Sequence, residues 1–350
     1  MRQIATAAIA AIIALAALAR AAQAAPCLIV TLTGTQGGPS VFNGQAGAGT
    51  LVSYGDDSNN CGAVKLQFDA GRGTNMRLSQ INVTPVQLSA IFLTHIHGDH
   101  TEGLPDVMML RWYLKGSKID IVCSADAVSA LGLTNSCRKY ITHIADAFLQ
   151  SGEIAERRSE DSARLAGGPA DLINVLTFDP KEEPQVVWSS GDVKVSAIRS
   201  NHIAGHASYR VDTPAGSVVI GGDASNDAAA PPRAHSTSDQ VERLANGADV
   251  IVHSTIHPVL GPDRGSGFPA QSFYRQSLAS DLGAMAKRAG AKYLMLTHLA
   301  PSLGTARHNR WNVPGGALTE ADYRKAVEAS GFTGKTIVGT DLASLRLPAK

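Results

Sequence analysis

Short apolar runs recur along the chain in two sets, and most are rich in Val, Ile and Leu. In the first half, residues 28–33, 51–54, 63–68, 90–94 and 119–122 read as strands, and 103–112 and 124–150 read as helices. A Gly-rich stretch from Gly34 to Thr50 interrupts them, and 151–170 is a polar surface segment. The second half repeats the theme. It predicts strands at 185–188, 193–199, 207–212, 217–221, 249–253, 293–296 and 335–338, and helices at 237–246, 271–289 and 319–330. Two sets of strands with helices outside them predict an α/β fold in αββα layers. The glycines at 44, 47 and 49 lack the strand–turn–helix frame of a dinucleotide site.

Composition narrows this picture. Of 350 residues, 44% are apolar and 17% charged, with a net charge of +1, which excludes a disordered or collagen-like chain. The low charge density and the 5% aromatic share make nucleic acid an unlikely partner by composition. Residues 1–24 have a short basic start, an Ala/Ile/Leu run and an Ala22-Gln23-Ala24 cleavage signal. They read as a secretory signal peptide, leaving 25–350 as a single domain with no stable membrane span and a periplasmic or secreted location. Losing Arg2 and Arg20 turns the charge to −1. In an oxidising compartment, Cys27 can pair with Cys61 and Cys123 with Cys137.

The densest chemistry is Thr94-His95-Ile96-His97-Gly98-Asp99-His100, at the end of an apolar strand. His95 and His97 project the same way in an extended chain. Gly98 permits a tight turn that returns Asp99 and His100 to the same point. Imidazole and carboxylate in such numbers suit two adjacent divalent ions, zinc foremost and iron or manganese as alternatives.

At this point the chain resembles the metallo-β-lactamase fold superfamily, in the branch of ribonuclease Z and the arylsulfatase-type phosphodiesterases. The supporting segments are Leu32-Thr33-Gly34-Thr35, Gly37-Gly38-Pro39, Phe68-Asp69-Ala70-Gly71 and the run from Leu93 to Pro105. The resemblance implies the four-layer αββα metallo-β-lactamase fold. It also implies a ligand set: His95, His97 and His202 for one metal, Asp99, His100 and His298 for the second, and Asp223 bridging both. Its spacing to Tyr209 prefers His202 over His206, which is left to line the substrate pocket. Asp99 is the expected base, and Asp69, Thr94 and Thr297 are expected to hold the ligands in place. His253 and His257, in the segment corresponding to an active-site edge of ribonuclease Z, are candidate proton donors. The loop Trp311–Gly316 is expected to wall the pocket, with Arg307 or Arg310 reaching an anion.

The expected activity is an exported dinuclear hydrolase that opens a phosphodiester or related small anionic ester with a metal-bridging hydroxide. The alternatives are a lactonase or β-lactamase-like hydrolase and a non-catalytic periplasmic metal-binding protein. Composition and the expected export argue against RNA as substrate, and the segment His253-Ser254-Thr255 departs from the His-Glu-Ala-Thr pattern of that branch. Related enzymes often dimerise, which leaves a homodimer open.

Overall fold

A computed structural model describes residues 24–228, 230–308 and 310–348. All of the leader expected at 1–24 except Ala24 lies outside the described residues. Two seven-stranded sheets form the centre of the molecule. The first runs in the order Ser344–Leu347, Pro26–Gly34, Gly49–Asp56, Val64–Phe68, Ala90–Phe92, Ile119–Ser124 and Ile173–Phe178. The second runs Lys335–Val338, Tyr293–Ala300, Val250–Ile256, Gly216–Ile220, Ala207–Thr213, Val193–Arg199 and Gln185–Ser190. In each sheet one side is antiparallel and the other parallel. The repeated theme in the sequence is therefore a repeated sheet plan, and the four-layer αββα fold is present.

Period-two alternation explains the layers. Val218 and Ile220 face the cluster between the sheets, with Phe68, Phe92, Tyr209 and Val252, whereas Val219 faces the outer helices. The Tyr209 hydroxyl donates to Leu93 O at 2.8 Å, so this buried ring joins the two sheets and satisfies its polar end. Helices Leu104–Tyr113 and Cys137–Gln150 contribute to the cover of the first sheet, and Asp239–Ala245, Ala279–Ala289 and Glu320–Glu328 to that of the second. Cys27–Cys61 and Cys123–Cys137 are both bonded; the second ties a strand to the helix that covers it.

Several boundaries differ from the sequence expectation. The helix expected over 124–150 starts only at Cys137, because Ser136 caps it and residues 127–135 turn back as a small hairpin. The helix expected over 271–289 is two pieces, Ala270–Tyr274 and Ala279–Ala289, broken at Arg275 to Leu278. The strands Ile173–Phe178 and Ser344–Leu347 and the helix Thr74–Gln80 were not anticipated. The polar stretch 151–170 contains a helix, Glu153–Glu160, with its charges outward. Among the described residues, no helix is long and apolar enough to cross a membrane.

Candidate metal centre

The parallel strands deliver the candidate ligands at their carboxyl ends. Ala90–Phe92 leads to His95 and Gly216–Ile220 leads to Asp223, from different sheets. The tight turn expected at Gly98 is helical. Gly98 opens one helical turn, Gly98–Thr101, which carries Asp99 and His100 inward. That turn is closely covered: a Cβ on Gly71 would come within 2.3 Å of Asp99 O, so a side chain there would push the turn away. His298 reaches the site through a bulge. The pairing of Val250–Ile256 with Tyr293–Ala300 skips it, and its φ is +47°, a left-handed conformation uncommon for a non-glycine residue.

Three groups of side chains converge: His95, His97 and His202; His95, His100 and Asp223; Asp99, His100 and His298. Their metal-ligating atoms lie within 4.8 Å of one another in each group. At one end, His97 Nδ1 is approached by His95 Nε2 at 2.9 Å and His202 Nε2 at 3.3 Å. At the other, His298 Nε2 lies 3.1 Å from Asp99 Oδ2 and 3.2 Å from Asp223 Oδ2. Between them, His100 Nε2 and Asp223 Oδ1 are buried without a hydrogen-bond partner and face each other at 3.5 Å. Lone pairs gathered in this way are unfavourable in a dry site unless cations lie among them. The donor set therefore fits two adjacent metal ions.

A set of residues behind the ligands fixes which nitrogen points inward. Asp69 accepts from Thr94 N (2.7 Å), Thr94 Oγ1 (2.8 Å) and His100 Nδ1 (2.8 Å). Because Thr94 Oγ1 gives its proton to Asp69, it accepts from His95 Nδ1 at 3.0 Å. One carboxylate thus turns the Nε2 atoms of His95 and His100 toward the centre. Thr297 has a different role, donating to Gly34 O at 3.3 Å. Asp69→Asn weakens metal affinity or turnover by about 10- to 100-fold, as read by metal titration.

His206 was expected in the substrate pocket, but it is buried behind Asp223. Asp223 N donates to His206 Nε2 at 3.2 Å. His206 Nδ1 then donates to Ser200 Oγ (2.8 Å), which reaches Ser208 Oγ (2.7 Å), which donates to Gly221 O (2.8 Å). The chain begins and ends on the Gly221–Asp223 turn and holds it in place. Gly222 leaves room for the imidazole, since a Cβ there would come within 2.9 Å of His206 Nε2. The sequence carries no local signal for this arrangement. His206→Leu leaves buried groups unpaired and costs about 1–3 kcal/mol of stability, measured by denaturant unfolding.

Electrostatics divide the cluster. Burial depresses His95, His97 and His202, the last to about 4, so these imidazoles are neutral and ready to donate lone pairs. Burial disfavours the charged form of His100 and His298 as well, but the carboxylates, Asp223 first, raise both. Burial pushes the Asp99 carboxyl up, yet the His298 hydrogen bond and the His100 charge overcome it and hold the value at about 2.

The two expected proton donors are not brought into these groups. His253 is fully buried; its Nδ1 donates to Ser254 O at 2.8 Å and its ring packs on Gly221. His257 packs edge-on against Tyr323, with ring centroids 5.1 Å apart. Burial lowers His253 from 6.5 to about 4. The unfolded chain then binds the proton first, so stability falls as pH drops from 6.5 toward 4. His253→Gln removes its share of that dependence, alongside the shares of the other buried imidazoles, in unfolding experiments across the same window.

A cavity of about 320 Å³ opens beside His298. Gly38, Phe42, Phe268, His308 and Trp311 line it, with Arg310. Trp311 stacks on His308 at 5.0 Å between centroids and 15° between planes. Of the loop expected to wall a pocket, Trp311 does so, and His308 joins it. Arg307 instead pairs its backbone with Asn312.

The profile of the family described as "Anti-Pycsar protein Apyc1" matches residues 58–258, more than half of the chain. The chain belongs to the anti-Pycsar protein Apyc1 family. Within the metallo-β-lactamase fold superfamily, this Apyc1-family chain falls in the ribonuclease Z and phosphodiesterase branch. It is 26% identical over 323 residues to ribonuclease Z of Mycobacterium bovis, covering 90% of this chain and 96% of that protein. It is 28% identical over 328 residues to ribonuclease Z of Mycobacterium avium, covering 91% and 98%. The fold is shared with the metallo-β-lactamase fold protein YhfI of Bacillus subtilis, at TM-score 0.59 and 16% identity, covering 92% of this chain and all of that one. Human tRNase Z, short form, matches at TM-score 0.55 and 17% identity, over 92% of this chain and all of that one.

The Apyc1-family chain is a metal-dependent hydrolase. The exclusion of nucleic acid from its partners is corrected by these relatives, whose names are those of RNA-cleaving enzymes and which align over about nine-tenths of the chain. A low bulk charge failed as an argument because two clustered metal ions can supply local positive charge that residue counts omit.

Proposed function

We propose that this protein is a dinuclear phosphodiesterase acting on a phosphodiester or related small anionic ester. The convergence of five imidazoles and two carboxylates from both sheets carries the reading. His95, His97 and His202 would hold one ion, Asp99, His100 and His298 the other, and Asp223 would bridge them. Zinc suits this nitrogen-rich set. When bound, two such ions lower the pKa of water toward neutrality, supplying hydroxide, and screen negative charge that develops on the ester. Asp69 and His206 keep the ligands oriented. Asp99, held as a carboxylate, can accept a proton from the attacking water. Gly38 N–H donates to His298 Nε2 at 3.1 Å at the same edge. The cavity walled by Trp311 and Phe268 suits a flat apolar group on the ester.

Because both sheets supply ligands, residues 25–350 are taken as one catalytic domain. The leader-like residues 1–24 and the two disulfides support export to an oxidising compartment. Purified protein loaded with zinc should cleave bis(p-nitrophenyl) phosphate in preference to a lactone, a sulfate ester or a β-lactam. Turnover confined to the lactone or the β-lactam overturns the phosphodiester reading. Trp311→Ala should raise KM for the same diester by about 10-fold with little change in kcat, consistent with about 1–3 kcal/mol lost from one stacking contact.

A further inference from the structure

We propose that Arg275 is the anion-recognition group of this site, binding a non-bridging oxygen of the substrate's phosphoryl group at the open edge of the His97 and His202 pair. The inference rests on the phosphodiesterase reading and names a residue that neither the metal-binding pattern nor the pocket loop contains.

Arg275 stands at the break between helices Ala270–Tyr274 and Ala279–Ala289, as the C-cap of the first. The break is anchored to the metal-site loops. Ser277 Oγ donates to Ala224 O at 2.8 Å, next to Asp223, and Ile256 N donates to Ser277 O at 2.9 Å. The Arg275 backbone is thereby fixed against the site, and its side chain crosses to His202, where Nη2 donates to the carbonyl oxygen at 3.3 Å. His97 is partly exposed and so is the His202 backbone, while the His202 ring, 4% exposed, is buried with His95, Asp99 and His100. The guanidinium therefore lies on the side from which a substrate arrives.

The charge balance is the second observation. Arg199, Arg210, Arg288 and Arg324 each meet a carboxylate. Among the described residues Arg275 meets a carbonyl and no carboxylate, as Arg111, Arg158 and Arg233 also do; it differs from them in standing against a loop that carries a candidate ligand. Two carboxylates among the ligands do not neutralise two divalent ions, so a further uncompensated cation beside them is repelled unless an anion lies between. A phosphodiester supplies that anion. One carbonyl uses one of the five N–H groups, and the planar fork matches two oxygens of a phosphoryl group. An uncharged ester would leave the repulsion in place.

The test compares the wild-type protein with Arg275→Ala and Arg275→Lys, each loaded with zinc. Inorganic phosphate binding is measured by calorimetry, turnover with bis(p-nitrophenyl) phosphate, and bound zinc by elemental analysis. Arg275→Ala should weaken phosphate binding by roughly 10- to 100-fold and raise KM for the diester by a similar factor. Arg275→Lys, which keeps the charge and loses the fork, should fall between the two. Zinc content and melting temperature should stay at the wild-type values. Phosphate binding within twofold of wild type in Arg275→Ala overturns the proposal. So does loss of zinc in both variants, which would make Arg275 a support for the His202 loop. If the wild type fails to cleave the diester while Arg275→Ala still weakens phosphate binding, the phosphodiesterase reading falls and the anion site stands.

Discussion

Asp223→Asn removes turnover while leaving the chain folded. Asp223 is the one ligand candidate that reaches every part of the cluster: Oδ1 lies 3.5 Å from His100 Nε2, and Oδ2 lies 3.2 Å from His298 Nε2 and 3.7 Å from His202 Nε2. The amide keeps the size of the side chain and the Asp223 N bond to His206. It removes the negative charge that two cations would share. The expected loss in kcat/KM is at least about 1,000-fold, more than the 10- to 100-fold typical of a residue that only orients a ligand. Bound metal should fall with it, and elemental analysis alongside steady-state kinetics checks both. His97→Ala should behave in the same way, because His97 Nδ1 is the point on which His95 and His202 converge. Turnover and metal content intact in both variants would place the active site elsewhere.

Chelation abolishes activity and lowers the melting temperature together. Without cations, buried nitrogens and carboxylate oxygens face each other at 2.9 to 3.5 Å, and His100 Nε2 and Asp223 Oδ1 have no hydrogen-bond partner. Each ion present at about 100 times its dissociation constant adds about 2.7 kcal/mol to the folded state. For a chain of this size, two ions correspond to a drop of roughly 10 °C on removal. Calorimetry before and after chelation, then after zinc is restored, reads the shift and its reversal. A melting temperature unchanged after complete metal removal would mean that the cluster binds no structural ion.

The residues from His95 to His100 were legible because their chemistry is dense and local. The spacing to Tyr209 preferred His202 to His206, and in space His202 faces the cluster while His206 supports Asp223 from behind. What escaped was three-dimensional. The bulge that turns His298 inward depends on how two strands register, not on its own sequence. The strand Ile173–Phe178 follows a polar segment and gains its place by pairing with Ile119–Ser124. Ser344–Leu347 alternates cleanly, but it is only four residues long and is fixed by pairing with Pro26–Gly34. The helix expected from 124 was too long because the Leu131-Gly132-Leu133 turn, with Gly132 at φ +75°, reverses the chain before Ser136 caps the helix. Arg275 had no motif around it; its position follows from a helix break and the loop on which that break is anchored.

The central claim is that turnover depends on two metal ions held by this cluster. Metal-free protein titrated with zinc, with bis(p-nitrophenyl) phosphate turnover and bound zinc followed together, tests it most directly. Turnover should rise from background and level off at two zinc ions per chain, and Asp223→Asn should stay at background throughout. Full turnover in metal-free protein, or a plateau at one ion per chain, would contradict the account.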